Sequence, residues 1–262
     1  MRWACQLAAA LIVCTIPTAA QASRAQDLRV SLIPEHLGHE TTVGFSVRIP
    51  VAAKRPLSPL TRLYLAYPSA LGVGVSGLGI ATCTQARLEL FGAQACPAES
   101  RMGQGEATAE IQVGPRLIAE SAPVAVLRTA EREGHLALLF SAEGTTPVFA
   151  QIVFSGVLLP GATSREEGIS IDVPLVEGLP GGPDVAVTRL TANLGPQSLT
   201  YYERVRGKLV PYHPRGITLP NKCPRRGFLF RATFSFLDGS HAQAQTRVGC
   251  PEKTAPWKAG ER

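Results

Sequence analysis

The sequence predicts an all-β fold, an antiparallel sandwich or two packed sheets with one short helix, stapled by disulfides. Apolar and polar residues alternate along most of the chain, which is the period of a strand with one buried face. The 25 glycines and 21 prolines fall in turn clusters between these runs and rarely interrupt them. About eleven such runs follow one another at the spacing expected of a sandwich or barrel.

The first 22 residues have the features of a secretory signal peptide. A positive start at Arg2 precedes the uncharged apolar run 3–16, and Ala20-Gln21-Ala22 supplies a small-residue cleavage pattern. The run is shorter than the roughly 20 residues of a membrane span. We therefore predict cleavage after Ala22, with retention as an anchor as the alternative, and an exported chain with no later membrane-spanning segment.

The rest of the chain is predicted to be one all-β unit over residues 23–251, with two packed subdomains as the alternative. Residues 252–262 have the composition of a loose tail.

The formal net charge of the whole sequence is +6, and cleavage would remove one arginine and no acid. A basic exported chain favours anionic partners such as envelope polymers or lipid headgroups. A nucleic-acid partner is not expected in that compartment.

The strand pattern is clearest over residues 42–49, 106–113 and 136–140, where every second residue is apolar. The stretch 147–159 is apolar on both faces, which predicts a central strand covered on both sides. Only Thr84 to Phe91 favours a helix, because Thr82 or Thr84 can cap its start and Gly92 can end it.

The runs 228–236 and 242–248 predict a hairpin whose register follows from its apolar faces. A two-residue turn would place the phenylalanine face opposite a polar face. A three-residue loop, residues 237–239, pairs Phe234 with Ala242 and puts both apolar faces on one side. We therefore predict the second register, with a left-handed glycine closing the loop.

The cysteines predict two disulfides. Two of the six cysteines leave with the signal peptide, and an even number remains in an exported chain. The hairpin brings Cys223 close to Cys250, which leaves Cys83 to pair with Cys96 across the short helix. The chain contains no C-x-x-C pair, so neither a zinc site nor a thioredoxin-like site is predicted. We expect no metal and no cofactor.

Catalytic motifs are weak in this sequence. The stretch 72–77 matches G-x-G-x-x-G, but no helix pattern follows it, so it is interpreted as a glycine-rich loop. Neither G-x-S-x-G nor H-E-x-x-H occurs. His36 and His39 have no identifiable third metal ligand beside them. No catalytic residue is therefore assigned.

The strongest compositional anomaly is the segment 201–231, in which cations far outnumber acids and tyrosines lie among them. Cationic groups and flat aromatic rings together suit an anionic polymer or a lipid headgroup. The ordinary alternative is the solvated polar face of alternating strands. The candidate anionic-ligand surface comprises Tyr201, Tyr202, Arg204, Arg206, Lys208, Tyr212, Arg215, Lys222, Arg225 and Arg226.

Four blocks of the sequence resemble uncharacterised secreted proteins of actinobacteria. They are CPAESRMGQGEA (96–107), LPGGPDVAVTRL (179–190), LTYYERVRGK (199–208) and LPNKCPRRGFLFRATFSFLDGS (219–240). The resemblance covers most of the chain after about residue 40 and implies an exported all-β protein. It implies no activity and no site residue, because that group has no established function.

The sequence as a whole favours a non-enzymatic binding or structural protein of the cell envelope or extracellular space. The basic, tyrosine-bearing segment is its predicted ligand surface. The alternative is an extracellular hydrolase acting on an envelope polysaccharide or ester. A deep pocket that combines a nucleophile or a carboxylate pair with a histidine would favour the hydrolase.

Overall fold

The computed structural model describes residues 27–49, 58–144, 150–178 and 184–251. The predicted signal peptide and C-terminal tail lie outside these residues. The described chain forms β1 (Asp27–Ile33), β2 (Glu40–Arg48), β3 (Leu60–Pro68), β4 (Arg101–Val113), β5 (Arg116–Arg132), β6 (His135–Gly144), β7 (Ala150–Pro160), β8 (Glu166–Asp172), β9 (Ala186–Leu194), β10 (Tyr201–Val205), β11 (Lys208–Tyr212), β12 (Ile217–Thr218), β13 (Phe228–Phe236) and β14 (His241–Val248), with one helix, α1 (Gln85–Phe91).

The predicted all-β, antiparallel class is confirmed. Twelve strands form one sheet in the order β1-β2-β9-β4-β5-β6-β7-β8-β3-β13-β14, with β12 paired to β2. The edge strands β1 and β14 lie next to each other, so the sheet curves round into a nearly closed, barrel-like shape. Its opposite halves pack across a shared interior, which is how the predicted two-layer packing is realised.

Period-two alternation decides which side chains fill this interior. Strand β13 turns Phe228, Phe230, Phe234 and Phe236 inward, and all four are buried in the main core. Their outward neighbours are polar or half-buried. Because each inward aromatic side chain removes a large apolar area from water, this strand contributes strongly to the stability of the sheet.

Two glycines allow β4 to approach β9 closely. A Cβ added at Gly103 would overlap the carbonyl oxygen of Asn193, and one added at Gly105 would overlap that of Thr191. Backbone is the obstacle at both positions, so no side-chain rotation could relieve the overlap. Glycine within a strand commonly marks such a close backbone approach.

The β13–β14 hairpin confirms the predicted register. Phe234 pairs with Ala242 and Phe228 pairs with Val248. The connecting loop is residues 237–239, and Gly239 has a φ of 76°. The rule that both apolar faces must share one side therefore identified the correct pairing.

The predicted short helix is also confirmed. The Thr84 hydroxyl accepts a hydrogen bond from the Arg87 N–H at 3.3 Å, and the Gly92 N–H donates to the Leu88 carbonyl at 2.9 Å. Leu88 is buried on the outer face of the sheet in a small second core with Leu127 and Leu139. None of the helices in the described residues is long and apolar enough to cross a membrane.

Two expectations about the strands need correction. The described residues form fourteen strands where about eleven were predicted, and β10, β11 and β12 are the three shortest of them. The stretch 147–159 corresponds to β7, whose described part begins at Ala150 and pairs with strands on both sides. Most residues of β7 are only half-buried, because the small helix covers just part of its outer face.

Both predicted disulfides are present. Cys83 and Cys96 are bonded across the helix with their Cα atoms 5.4 Å apart. Cys223 and Cys250 are bonded at the ends of the β13–β14 hairpin with their Cα atoms 5.8 Å apart. The first bond joins the chain before α1 to the chain after it, where both cysteines pack with Leu127 and Leu139 of the sheet. The second closes the free end of the last hairpin.

Replacing Cys223 and Cys250 by serine should lower the free energy of unfolding by about 3 kcal/mol, because the unfolded chain then loses a loop constraint. Urea unfolding of the double variant and the parent chain measures this difference. Intact mass before and after reduction and alkylation provides the control. Four free thiols in protein purified from an oxidising compartment would contradict the account.

Candidate functional site

The interior of the sheet contains a partly open apolar cavity of about 150 Å³. It lies toward the end of the sheet at which β4 ends and β5 begins, here called the cavity end. Strand β4 contributes Ala107, Ala109 and Ile111, and β5 contributes side chains from Glu120 to Val126. Further lining residues come from β2, β3 and β6 to β9.

Small side chains create this cavity. Strand β4 contributes two alanines to the lining, and β5, β6, β7 and β9 contribute one each, whereas β13, which does not line the cavity, carries four inward phenylalanines. The aromatic rings of Phe140 and Phe154 form part of the wall. They are stacked with ring centroids 5.2 Å apart and an interplanar angle of 10°. The alanines that line the cavity are Ala107, Ala109, Ala122, Ala142, Ala150 and Ala192.

Glu120 is the one ionisable side chain among the described residues that line the cavity. It is 8% exposed and lies on β5 opposite Ala109 of β4. No serine, threonine, cysteine, histidine, tyrosine, lysine or arginine is found among those lining residues. The cavity therefore offers apolar contact and one carboxyl group, and its described walls offer no cation.

The predicted anionic-ligand surface lies at the opposite end of the sheet. Residues Tyr201–Tyr212 form β10 and β11, a separate two-stranded sheet that we call the basic hairpin. Its base is attached near the start of β4, since the Tyr201 hydroxyl donates to the Arg101 carbonyl and accepts from the Gly79 N–H at 2.9 Å. The Tyr202 N–H donates to Glu99 Oε1 at 3.1 Å.

The assignment of Tyr201 to a ligand surface is wrong. Tyr201 is fully buried, and its ring meets that of Tyr212 edge-on at 5.9 Å between centroids. Burial raises the pKa of its phenol, an effect that the hydrogen bond from Gly79 partly opposes. Because the folded chain holds this proton more tightly, the resulting stability is complete below the unfolded pKa of about 10 and is lost at higher pH.

The other predicted surface residues divide into two groups. Tyr202, Arg204, Arg206 and Lys208 are exposed on the basic hairpin, and Tyr212 is half-buried at its base. Arg215, Lys222, Arg225 and Arg226 are exposed on the loops that follow, outside the hairpin. Arg231, from the same basic segment, is paired with Glu166 at 2.7 Å on the outer face of the sheet.

The constellation most relevant to the hydrolase alternative is an open depression of about 190 Å³ on the outer face, which holds His135, Ser155 and Ser170. No hydrogen bond between described residues joins His135 to either serine. Asp172 lies beside them, but its carboxylate binds Arg62 Nε at 2.9 Å. The geometry of an activated nucleophile is therefore not present there.

His36 and His39 lie beside each other with ring centroids 6.3 Å apart. Within the part of the chain that the structure describes, no set of three His, Cys, Asp or Glu side chains is arranged to hold a metal ion.

Comparisons with known proteins add no relative. No protein-family model, no curated protein and no solved structure matches this chain. The resemblance to secreted actinobacterial proteins therefore stays a prediction.

The cavity was missed at the sequence level, although its signal is visible afterwards. Ala107 and Ala109 occupy predicted inward positions of an alternating run, where larger apolar residues would fill a core. Alternation identified their direction but not the space in front of them. That space depends on which strands stand opposite, and the order of strands was not predicted.

Replacing Tyr201 by phenylalanine should lower the free energy of unfolding by about 1–3 kcal/mol, because the Gly79 N–H is left without its acceptor in a buried site. Tyr202→Phe is the matched control, since this neighbouring tyrosine is 47% exposed, and it should stay within about 0.5 kcal/mol of the parent. Urea unfolding measures both. Equal stability of the Tyr201→Phe variant and the parent would contradict the assigned role.

Proposed function

We propose that this protein is an exported, non-enzymatic binding protein that holds a neutral apolar molecule inside its sheet. The observation that carries the proposal is the apolar cavity of about 150 Å³ between the small side chains of β4 to β7 and β9. Two disulfides are consistent with an oxidising, extracellular compartment.

The size and lining of the cavity define the ligand class. An engineered protein cavity of about 150 Å³, lined by Leu, Ile and Phe, stays dry and takes up benzene. The cavity in this sheet has the same volume and a comparable lining, with the stacked Phe140 and Phe154 as a flat wall. A small apolar molecule, or one apolar group of a larger ligand, fits these dimensions.

The absence of cations from the described lining favours a neutral ligand. A carboxylate moved from water into an apolar site without a partner is strongly disfavoured. The described lining contains one acidic side chain, Glu120, and no lysine, arginine or histidine. Binding is favoured over turnover by the same residues, because no serine, threonine, cysteine or histidine lies among the described lining residues and Glu120 is the single carboxylate.

Toluene and benzoate form a matched pair of probes, since they have the same ring and nearly the same size. Saturation-transfer NMR should detect binding of toluene, and benzoate should bind at least tenfold more weakly because its charge would be buried. Benzoate bound as tightly as toluene, or neither probe bound, would contradict the proposal.

The variant Ala122→Leu tests the cavity without depending on the natural ligand. If the space in front of Ala122 is empty, the larger side chain fills it, toluene binding falls at least tenfold and stability is unchanged or increased. In a filled core the same change would cost about 1–3 kcal/mol through overpacking.

Ala119→Leu is the control for this variant, because Ala119 lies three residues earlier on β5 and faces solvent. It should leave toluene binding unchanged. Urea unfolding and the NMR titration are applied to both variants. Destabilisation by Ala122→Leu together with unchanged toluene binding would place the ligand elsewhere.

A further inference from the structure

The basic hairpin exposes apolar side chains that no other element of the described residues covers. Leu209 is 65% exposed, Tyr202 is 47% exposed, and Val205 and Val210 are exposed to a similar degree. Isolated exposed apolar residues are ordinary, but here four lie within one short hairpin. We therefore expect a binding partner to cover these four side chains.

These apolar side chains lie on both faces of the hairpin. Pairing of Glu203 with Val210 and of Arg204 with Leu209 places Val205 and Val210 on one face, and Tyr202 and Leu209 on the other. A flat protein surface that covered one face would leave the other in water. A medium that surrounds the tip covers both faces together.

Cations are placed beside these apolar side chains. The hairpin has three exposed cations, Arg204, Arg206 and Lys208. Its single acid is Glu203, so its net charge is +2. Long basic side chains next to apolar ones at the tip match a lipid–water interface, where alkyl stems lie against acyl chains and charged ends reach phosphates.

The hairpin is fixed at its base and projects from the sheet. The Tyr201 hydroxyl is hydrogen-bonded to Gly79 and Arg101. The next residue, Tyr202, donates its backbone N–H to Glu99. A five-residue strand spans about 16 Å. That length exceeds the roughly 5–10 Å to which interfacial segments enter a membrane.

We propose that the basic hairpin inserts its tip into the surface of an anionic lipid bilayer. An anionic polymer in water would use the cations but would leave Leu209 and Val205 uncovered, so the exposed apolar side chains favour the bilayer. The hairpin and the cavity lie at opposite ends of the sheet, so membrane docking leaves the cavity end directed away from the bilayer. This inference does not depend on ligand binding in the cavity.

Flotation with vesicles tests the proposal. The full chain after signal removal should float with vesicles of phosphatidylcholine containing about one third phosphatidylglycerol, and should not float with phosphatidylcholine alone or at high salt.

The triple variant Arg204→Ala, Arg206→Ala, Lys208→Ala should bind the anionic vesicles about a hundredfold more weakly. Leu209→Ser should weaken binding about tenfold with the charge unchanged.

The matched control removes the same charge at the other end of the sheet. Arg48→Ala, Arg116→Ala, Arg189→Ala replaces three exposed arginines near the cavity end, and it should retain vesicle binding within a few-fold of the parent. The urea midpoint confirms that each variant is folded. Toluene binding should be equal in all of them, so a failure of docking and a failure of cavity binding are distinguishable.

Three outcomes would overturn the inference. Equal vesicle binding by the two triple variants would show that the hairpin cations are not specifically used. Dextran sulfate bound as tightly as anionic vesicles, with no effect of Leu209→Ser, would assign the surface to a polymer. A dimer of the parent chain by light scattering that becomes a monomer in Leu209→Ser would assign it to a second copy.

Discussion

The inward-facing side chains of the nearly closed sheet differ in size from strand to strand. This difference determines which part of the interior is densely packed and which part contains the cavity. Strand β13 carries phenylalanine at four inward positions, and five of the strands that line the cavity carry alanine at one or two of theirs. Protein interiors are normally packed as densely as organic crystals. Because closure fixes the distance between opposite strands, small side chains cannot collapse onto one another, and a cavity remains.

The two ends of the sheet are consequently organised in different ways. At the hairpin end, Tyr201 joins Gly79 to Arg101, and the bond between Cys223 and Cys250 closes the last hairpin. These links hold surface loops in place and direct the basic hairpin outward. At the cavity end, apolar residues of eight strands line the cavity instead. The proposed docking surface and the proposed apolar site are therefore separate parts of one chain.

Local features of this structure could be predicted from sequence, and long-range ones could not. The register of β13 and β14 followed from the parity of Phe234 and Ala242, and the disulfide at its end followed from that register. Burial of Tyr201 was not predictable, because Tyr201 and Tyr202 face opposite sides of one strand, and the partners of the buried hydroxyl, Gly79 and Arg101, are distant in sequence. The cavity depended on β9 standing between β2 and β4, a pairing that no turn motif indicates.

The central claim is that the interior of the sheet is incompletely filled by the protein's own side chains. Xenon enters apolar cavities of this size without requiring polar recognition. A crystal structure under xenon pressure therefore tests the claim most directly. The account predicts a xenon atom inside the sheet, in contact with Ala122 and the stacked Phe140 and Phe154. An interior without xenon, with side chains in contact throughout, would contradict it.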